Sequence, residues 1–281
     1  MANAGTYNVG GFNAGAGVSD EGITVFPGGE NLGFFNTGSA NVGVFNAGGF
    51  NLGWADAGTG NVGGIDSGTE NTGFLDAGYS NTGSWNAGNV NTGFWNSGDT
   101  NTGFWNSGNV NTGFGHTGDI NAPNSGFGNT GTGNSGFDNS GPDNSGFDNT
   151  GSVGHNAGFG NSSTNGYNAG FFNYGPGDGN VGFFNTGNDG SNVGFFNTDS
   201  GNATAGGYNI GIDNSGFGYN TGVGNTDSGG GYNTGYFNSG YGGDTGIGNA
   251  GAGGNSGLEN TGSTSSGGFN AGIGQSGFFN P

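Results

Sequence analysis

Three aspartates lie five residues apart at Asp138, Asp143 and Asp148, and three more lie ten apart at Asp56, Asp66 and Asp76. Carboxylates are the ligands that a hard cation takes. If ten residues make one turn of a stacked structure, Asp138 and Asp148 become neighbours about 5 Å apart, where like charges repel unless screened or bridged. Ca2+ would bridge them, so Asp138, Asp143 and Asp148 form the candidate metal site. Solvated carboxylates on one face explain the same spacing without a metal and are the simpler expectation. An Asp can also stand in for Asn because both accept in an Asx-turn. No Gly-Gly-x-Gly-x-Asp run of the Ca2+-binding nonapeptide kind occurs.

His116 occupies an Asn position of the pattern described below, and His155 precedes Asn156. With no Cys and no second His close by, neither points to a metal. Ser and Asp are so frequent that spacing marks out no Ser-His-Asp set. Asn161-Ser162-Ser163 and Asn202-Ala203-Thr204 fit the glycosylation sequon, a match expected by chance in such a chain. No cofactor is indicated, and an enzyme is the least expected class.

Composition narrows the partners. The 281 residues include 77 Gly, 25 Phe, 9 Tyr and 4 Trp, no Cys, no Lys and no Arg, and the net charge is −19. A chain without cationic side chains cannot neutralise phosphates, which excludes nucleic acid and anionic lipid headgroups as partners. Without Cys there are no disulfides. No apolar run reaches the ~20 residues of a membrane helix, and the first residues show no signal peptide. Composition alone would class the chain as disordered, but the aromatic residues are phased.

The phasing comes from the elements that position all these residues. From Asn31 to Ile120, Asn-x-Gly recurs every five residues. Within it runs a ten-residue beat. Alternate fifth positions read Phe35, Phe45, Ala55, Ile65, Leu75, Trp85, Trp95 and Trp105, whereas the intervening ones are mixed. After Asn121 the register shifts. Further on, insertions separate intact pairs such as Asn168/Asn173 and Asn180/Asn185. Gly every five residues disfavours helix, while Asn and Gly favour corners. The expected fold is therefore all-β, an elongated β-solenoid of stacked short coils. Ten residues per coil is the first choice and twenty the second. Ten gives about 25 coils and a rod on the order of 110 Å.

Three segments follow: 1–30, a repeat start and irregular cap or loop from Ala16 to Glu30; 31–120, the regular repeat; and 121–281, the same solenoid with insertions. The spacing leaves open whether Asn or Phe faces inward. A buried Phe contributes about 1.5–3 kcal/mol, so Phe34, Phe74, Phe94 and Phe104 are expected to form the core. Trp85, Trp95 and Trp105 follow them directly, and in an extended strand would face the other way as an exposed contact stripe. Thr72, Thr82, Thr92, Thr102 and Thr112 would form one Thr file.

The run Asn91-Thr92-Gly93-Phe94-Trp95-Asn96-Ser97-Gly98-Asp99-Thr100-Asn101-Thr102-Gly103 resembles the Asn/Gly-rich pentapeptide repeats of mycobacterial PPE proteins, in the major polymorphic tandem repeat (MPTR) subfamily. Their signature, Asn-x-Gly-x-Gly-Asn-x-Gly, occurs at Asn124 to Gly131 and at Asn129 to Gly136. Asp244 to Gly251 and Asn111 to Gly118 match with one replacement each. The resemblance implies a secreted or cell-envelope protein of mycobacteria, exported by a type VII system, with a role at the host interface. PPE proteins also carry a helical domain with a Pro-Pro-Glu signature that pairs with a PE partner; neither stands in this sequence. The expected function is a non-enzymatic surface scaffold for assembly, self-association or host contact. The alternatives are an ice- or surface-binding rod, or an acidic DNA mimic. One charge per about 6 Å of rod is much sparser than the one per ~1.7 Å of duplex DNA, which disfavours the mimic.

Overall fold

The structure, a computed structural model, describes residues 3–15, 18–20, 23–26, 29–118, 122–176, 179–188, 191–200 and 207–281, and for 18–20 and 23–26 the backbone alone. Among the described residues there is no helix, and the strands are short. The chain is a β-solenoid in two compact units, Met1–Thr132 and Gly133–Pro281. The expected register shift falls at Asn121, outside the described residues.

Each turn takes two pentads. In the first unit, Thr92, Gly93 and Phe94 pair in parallel with Thr102, Gly103 and Phe104. On the other wall, Ser67, Gly68 and Thr69 pair with Ala77, Gly78 and Tyr79. The register is ten residues per coil, with two narrow parallel sheets facing each other.

Backbone handedness decides which residues face inward. Side chains of a regular strand alternate between faces. Here two residues of each pentad have positive φ. The Gly at position three does so, as in Gly93 at +124°, and the fifth residue adopts the left-handed conformation, as in Trp85, Val90 and Trp95 at 58°, 56° and 56°. Alternation is broken at each corner. The Asn at position one points inward, and positions two, four and five all face out. Among the described residues no hydrophobic side chain is buried. The expectation of a Phe core is therefore overturned: Phe34, Phe74, Phe94 and Phe104 are 44, 47, 38 and 44 % exposed.

The interior is made of amides instead. Asn91 Oδ1 accepts the backbone N–H of Asn101 in the next turn at 2.9 Å. Its Nδ2 donates across the interior to the carbonyls of Ala87 and Gly98 on the opposite wall, at 3.3 and 2.7 Å. One side chain thus spans from wall to wall, leaving no room for a ring as large as that of Phe. It also satisfies backbone groups that would otherwise be buried without partners.

The ladder continues across insertions. Asn31 and Asn36 donate their N–H groups to Asn8 Oδ1 and Asn13 Oδ1 at 3.1 and 3.0 Å. Those two turns are therefore stacked directly, and the insertion between them is shorter than the expected Ala16 to Glu30 segment, because Gly29 already bridges to Thr6 and Ser39 and Glu30 takes a regular left-handed corner at φ 60°. Within it, Val18–Asp20 pairs antiparallel with Ile23–Phe26; Ala16, Gly17, Glu21, Gly22, Pro27 and Gly28 lie outside the described residues. In the second unit the step from Asn161 to Asn173 to Asn185 is 12 residues, and from Asn197 to Asn214 it is 17, yet the N–H groups of Asn173, Asn185 and Asn214 each still meet the preceding Oδ1. The extra residues fall after the second Asn of a pair, as the sequence pattern indicates.

The fifth-position corner is strained for a β-branched residue. Gly60 and Gly115 occupy the same kind of corner at φ 69° and 68°. Val90→Gly relieves that strain and removes a side chain already 48 % exposed. It is expected to raise stability by up to about 1 kcal/mol, read as a higher melting temperature.

Candidate functional site

The outward positions of one corner form an apolar edge in the first unit, with runs of stacked aromatic rings along it. Trp85, Trp95 and Trp105 stack face to face at 5.0 and 5.2 Å between ring centroids, and are 47, 44 and 52 % exposed. The expected Trp stripe is thus brought together. Phe94 and Phe104 stack beside it at 5.3 Å, Phe114 meets Trp105 edge-on at 5.0 Å, and Phe127 stacks on Phe114 at 4.6 Å. Phe94 and Phe104 belong to the same edge because the left-handed corner turns positions four and five to one side. Nearer the start, Phe12, Phe35 and Phe45 stack at 5.1 and 5.0 Å. Where a turn carries Gly64, the Trp54 ring leans over it and meets Phe74 at 6.5 Å. From Phe34 to Phe127 these two files hold no charged residue. The second unit carries its own edge, with Phe171, Phe183 and Phe195 at 4.8 and 5.0 Å and Phe172, Phe184 and Phe196 at 5.3 and 5.2 Å.

Asp138 and Asp148 occupy the corner file that holds Phe172 further along, both exposed and both left-handed at φ 51°. Asp tolerates that conformation better than most residues, which accounts for its presence there. Asp143 lies on the opposite corner, half a turn away, where its Oδ2 is 3.9 Å from His155 Nδ1. His155 in turn stacks on Tyr167 at 4.9 Å. The three carboxylates therefore do not converge, and among the described residues no group of three His, Asp or Glu side chains is placed to hold a metal ion.

The interior holds residues that sequence reading treated as tolerated replacements. His116 is fully buried in the Asn ladder. Its Nδ1 accepts the N–H of Asn129 at 3.1 Å, and its Nε2–H donates to the Thr112 carbonyl at 3.1 Å. The neutral ring thus copies an Asn amide, acceptor and donor alike. Burial pushes its pKa below the ordinary value. Asp56, Asp66 and Asp76 are buried in the same file. The signal was present in the sequence: each stands at the invariant Asn position.

Asn161, the Asn of one sequon, is fully buried with its amide bonded to Ala157 and Gly170, so it is closed to glycosylation in the folded chain. Asn202, of the other, lies outside the described residues. Thr82, Thr92, Thr102 and Thr112 stand in register on one outer wall, beside the Phe file. An open groove of about 440 Å³ in the second unit is lined by Ser140, Thr150, Ser162 and Tyr174, among others. Among the described residues no helix is long and apolar enough to cross a membrane.

Comparison with curated proteins finds no match to the chain. Residues 60–99 and 80–119 match the family model for pentapeptide repeats (8 copies), the part of the chain where the ladder is most regular and where the Trp stack sits.

Proposed function

We propose that the chain is a non-enzymatic scaffold whose aromatic edge is its contact surface, facing an apolar or protein partner or a second copy of the chain. One observation carries this reading: rings that the interior does not need are held exposed, stacked and in register over successive turns. Exposed apolar patches of this continuity mark interaction surfaces. Stacking the rings on one another pre-orders them, which lowers the entropy lost on contact. The resemblance to MPTR repeats of mycobacterial PPE proteins supports placing this surface outside the cell or on its envelope, at a host interface. The DNA-mimic alternative weakens further, because Asp56, Asp66, Asp76 and Asp244 are buried and add nothing to the surface charge.

Replacing Trp85, Trp95 and Trp105 together by Ser tests the reading. The Asn ladder is untouched, so the circular dichroism is expected to stay β-rich. Retention on an alkyl-coated surface and concentration-dependent self-association are expected to fall about tenfold or more, as for other aromatic anchors. Unchanged retention and association with an intact fold would contradict the assignment.

A further inference from the structure

In the interior file Asn46, Asp56, Asp66, Asp76, Asn86, three successive turns carry a carboxyl where their neighbours carry an amide. The amide ends set the geometry. Asn46 Nδ2 donates to the Gly53 carbonyl at 3.0 Å, and Asn86 Nδ2 to the Gly93 carbonyl at 2.9 Å. The carboxyls keep the acceptor half of this arrangement. Asp56 Oδ1 accepts the N–H of Asp66 at 3.1 Å, Asp66 Oδ1 that of Asp76 at 2.9 Å, and Asp76 Oδ1 that of Asn86 at 2.8 Å. The donor half is missing. Asp56 Oδ2, Asp66 Oδ2 and Asp76 Oδ2 are buried with no hydrogen-bond partner. By equivalence with the amides they point at the carbonyls of Gly63, Gly73 and Gly83, which are also acceptors.

We propose that Asp56, Asp66 and Asp76 sit in the folded stack as neutral carboxylic acids, each Oδ2–H donating to the opposing Gly carbonyl, and that this makes residues 56–76 a pH-sensitive seam that is closed in acid and loosened as the carboxyls ionise. A protonated carboxyl has the same acceptor and donor pair as an Asn amide. Ionised, each would set an anion against carbonyl dipoles, with a second carboxylate about 4.8 Å above or below. No cation compensates, since the chain has no Lys or Arg; the donors that face the carboxyls are neutral N–H groups, among them Asn86 Nδ2, which donates to Asp76 Oδ1 at 3.0 Å, and burial outweighs them. The opposing interior file is the neutral Asn51, Asn61, Asn71 and Asn81, and the nearest surface acid, Glu70, sits on an exposed corner bonded by Ser80.

Electrostatics agree in sign. Burial raises all three pKa values, Asp66 to about 6, where charge on Asp56 and Asp76 adds to the effect. Between the ordinary value of 3.8 and about 6, folded Asp66 keeps a proton that the unfolded chain has lost. Stability is therefore full below this window and falls as pH rises through it. The loss in the folding constant is about tenfold per pH unit, hence about a hundredfold for Asp66 across the window. His116 acts oppositely: its lowered pKa costs stability as pH falls below its ordinary value of 6.5.

The test compares the full chain with D56N/D66N/D76N, and with D66N alone should the triple variant fold poorly. His116 and the buried Asp244 are common to all three proteins. Denaturant melts from pH 4 to pH 7 are expected to show the wild type losing stability relative to the Asn variants as pH rises. Infrared spectra of the folded wild type at about pH 5, where ordinary carboxyls are ionised, are expected to show a protonated-carboxyl band that is clearly weaker in the triple variant, which keeps only the contribution of Asp244. Parallel pH profiles, or a band of equal strength in the two proteins, would overturn the proposal. So would stabilisation of the wild type by added Ca2+ or K+ that the triple variant does not share, because a cation would then hold the place of the protons.

Discussion

Gly93→Ala is expected to destabilise the first unit by more than about 4 kcal/mol, enough to abolish the regular stack around it. Gly93 has φ +124°, a conformation that L side chains rarely adopt, and a Cβ built on it would overlap the backbone carbonyl of Gly103 in the next turn. That carbonyl is also the acceptor for Asn96 Nδ2 at 2.9 Å, so it cannot withdraw without breaking the ladder. The matched control is Gly115→Ala. Gly115 is left-handed at φ +68°, and a Cβ there meets nothing within 4 Å. It should cost only about 1–2 kcal/mol, the left-handed penalty alone. Denaturant melts of the two variants should therefore differ by several kcal/mol, although both replace Gly by Ala in the same repeat.

Asn91→Leu should be nearly as damaging, and it separates an amide interior from an apolar one. The two side chains are similar in size. In an apolar core the exchange would be neutral or stabilising. Here it strands the N–H of Asn101 and the carbonyls of Ala87 and Gly98. An unsatisfied buried polar group costs about 1–3 kcal/mol, so the total is expected at about 3–6 kcal/mol. Asn91→Asp should cost less in acid and more at neutral pH. It keeps the acceptor for Asn101 and can supply a donor only when protonated, as in the natural run from Asp56 to Asp76.

The turn was legible in the sequence, and its inside was not. The ten-residue spacing of Asp56, Asp66 and Asp76 and the alternating columns reported the coil, because stacking repeats each position once per turn. The intact Asn168/Asn173 and Asn180/Asn185 pairs reported which corner tolerates insertion. The inward direction was misjudged because strand alternation was carried through the fifth residue, where the chain is left-handed. Helping the error was the ordinary expectation that Phe is buried, which presumes an interior wide enough to hold its ring. A contrary signal was available. The file Phe34, Val44, Trp54, Gly64, Phe74, Ser84 swings between extremes of volume, which a close-packed core does not tolerate. The file Asn61, Asn71, Asn81, Asn91, Asn101 does not vary at all. Invariance along the stack, more than hydrophobicity, marks the interior. The Trp stripe was found because its residues are adjacent turns of one file; the acids at Asp138, Asp143 and Asp148 separated because five residues carry the chain to the opposite corner.

The most direct test of an amide-cored solenoid is hydrogen exchange at the Asn side chains themselves. In a selectively labelled sample, the Nδ2 hydrogens of Asn71, Asn81, Asn91 and Asn101 are expected to exchange slowly, with protection comparable to the backbone N–H groups of the same turns, because each amide is fully buried and bonded across the interior. Exchange of these hydrogens at the rate of a free, solvated Asn amide while the backbone stays protected would place the Asn files outside the stack and contradict the account.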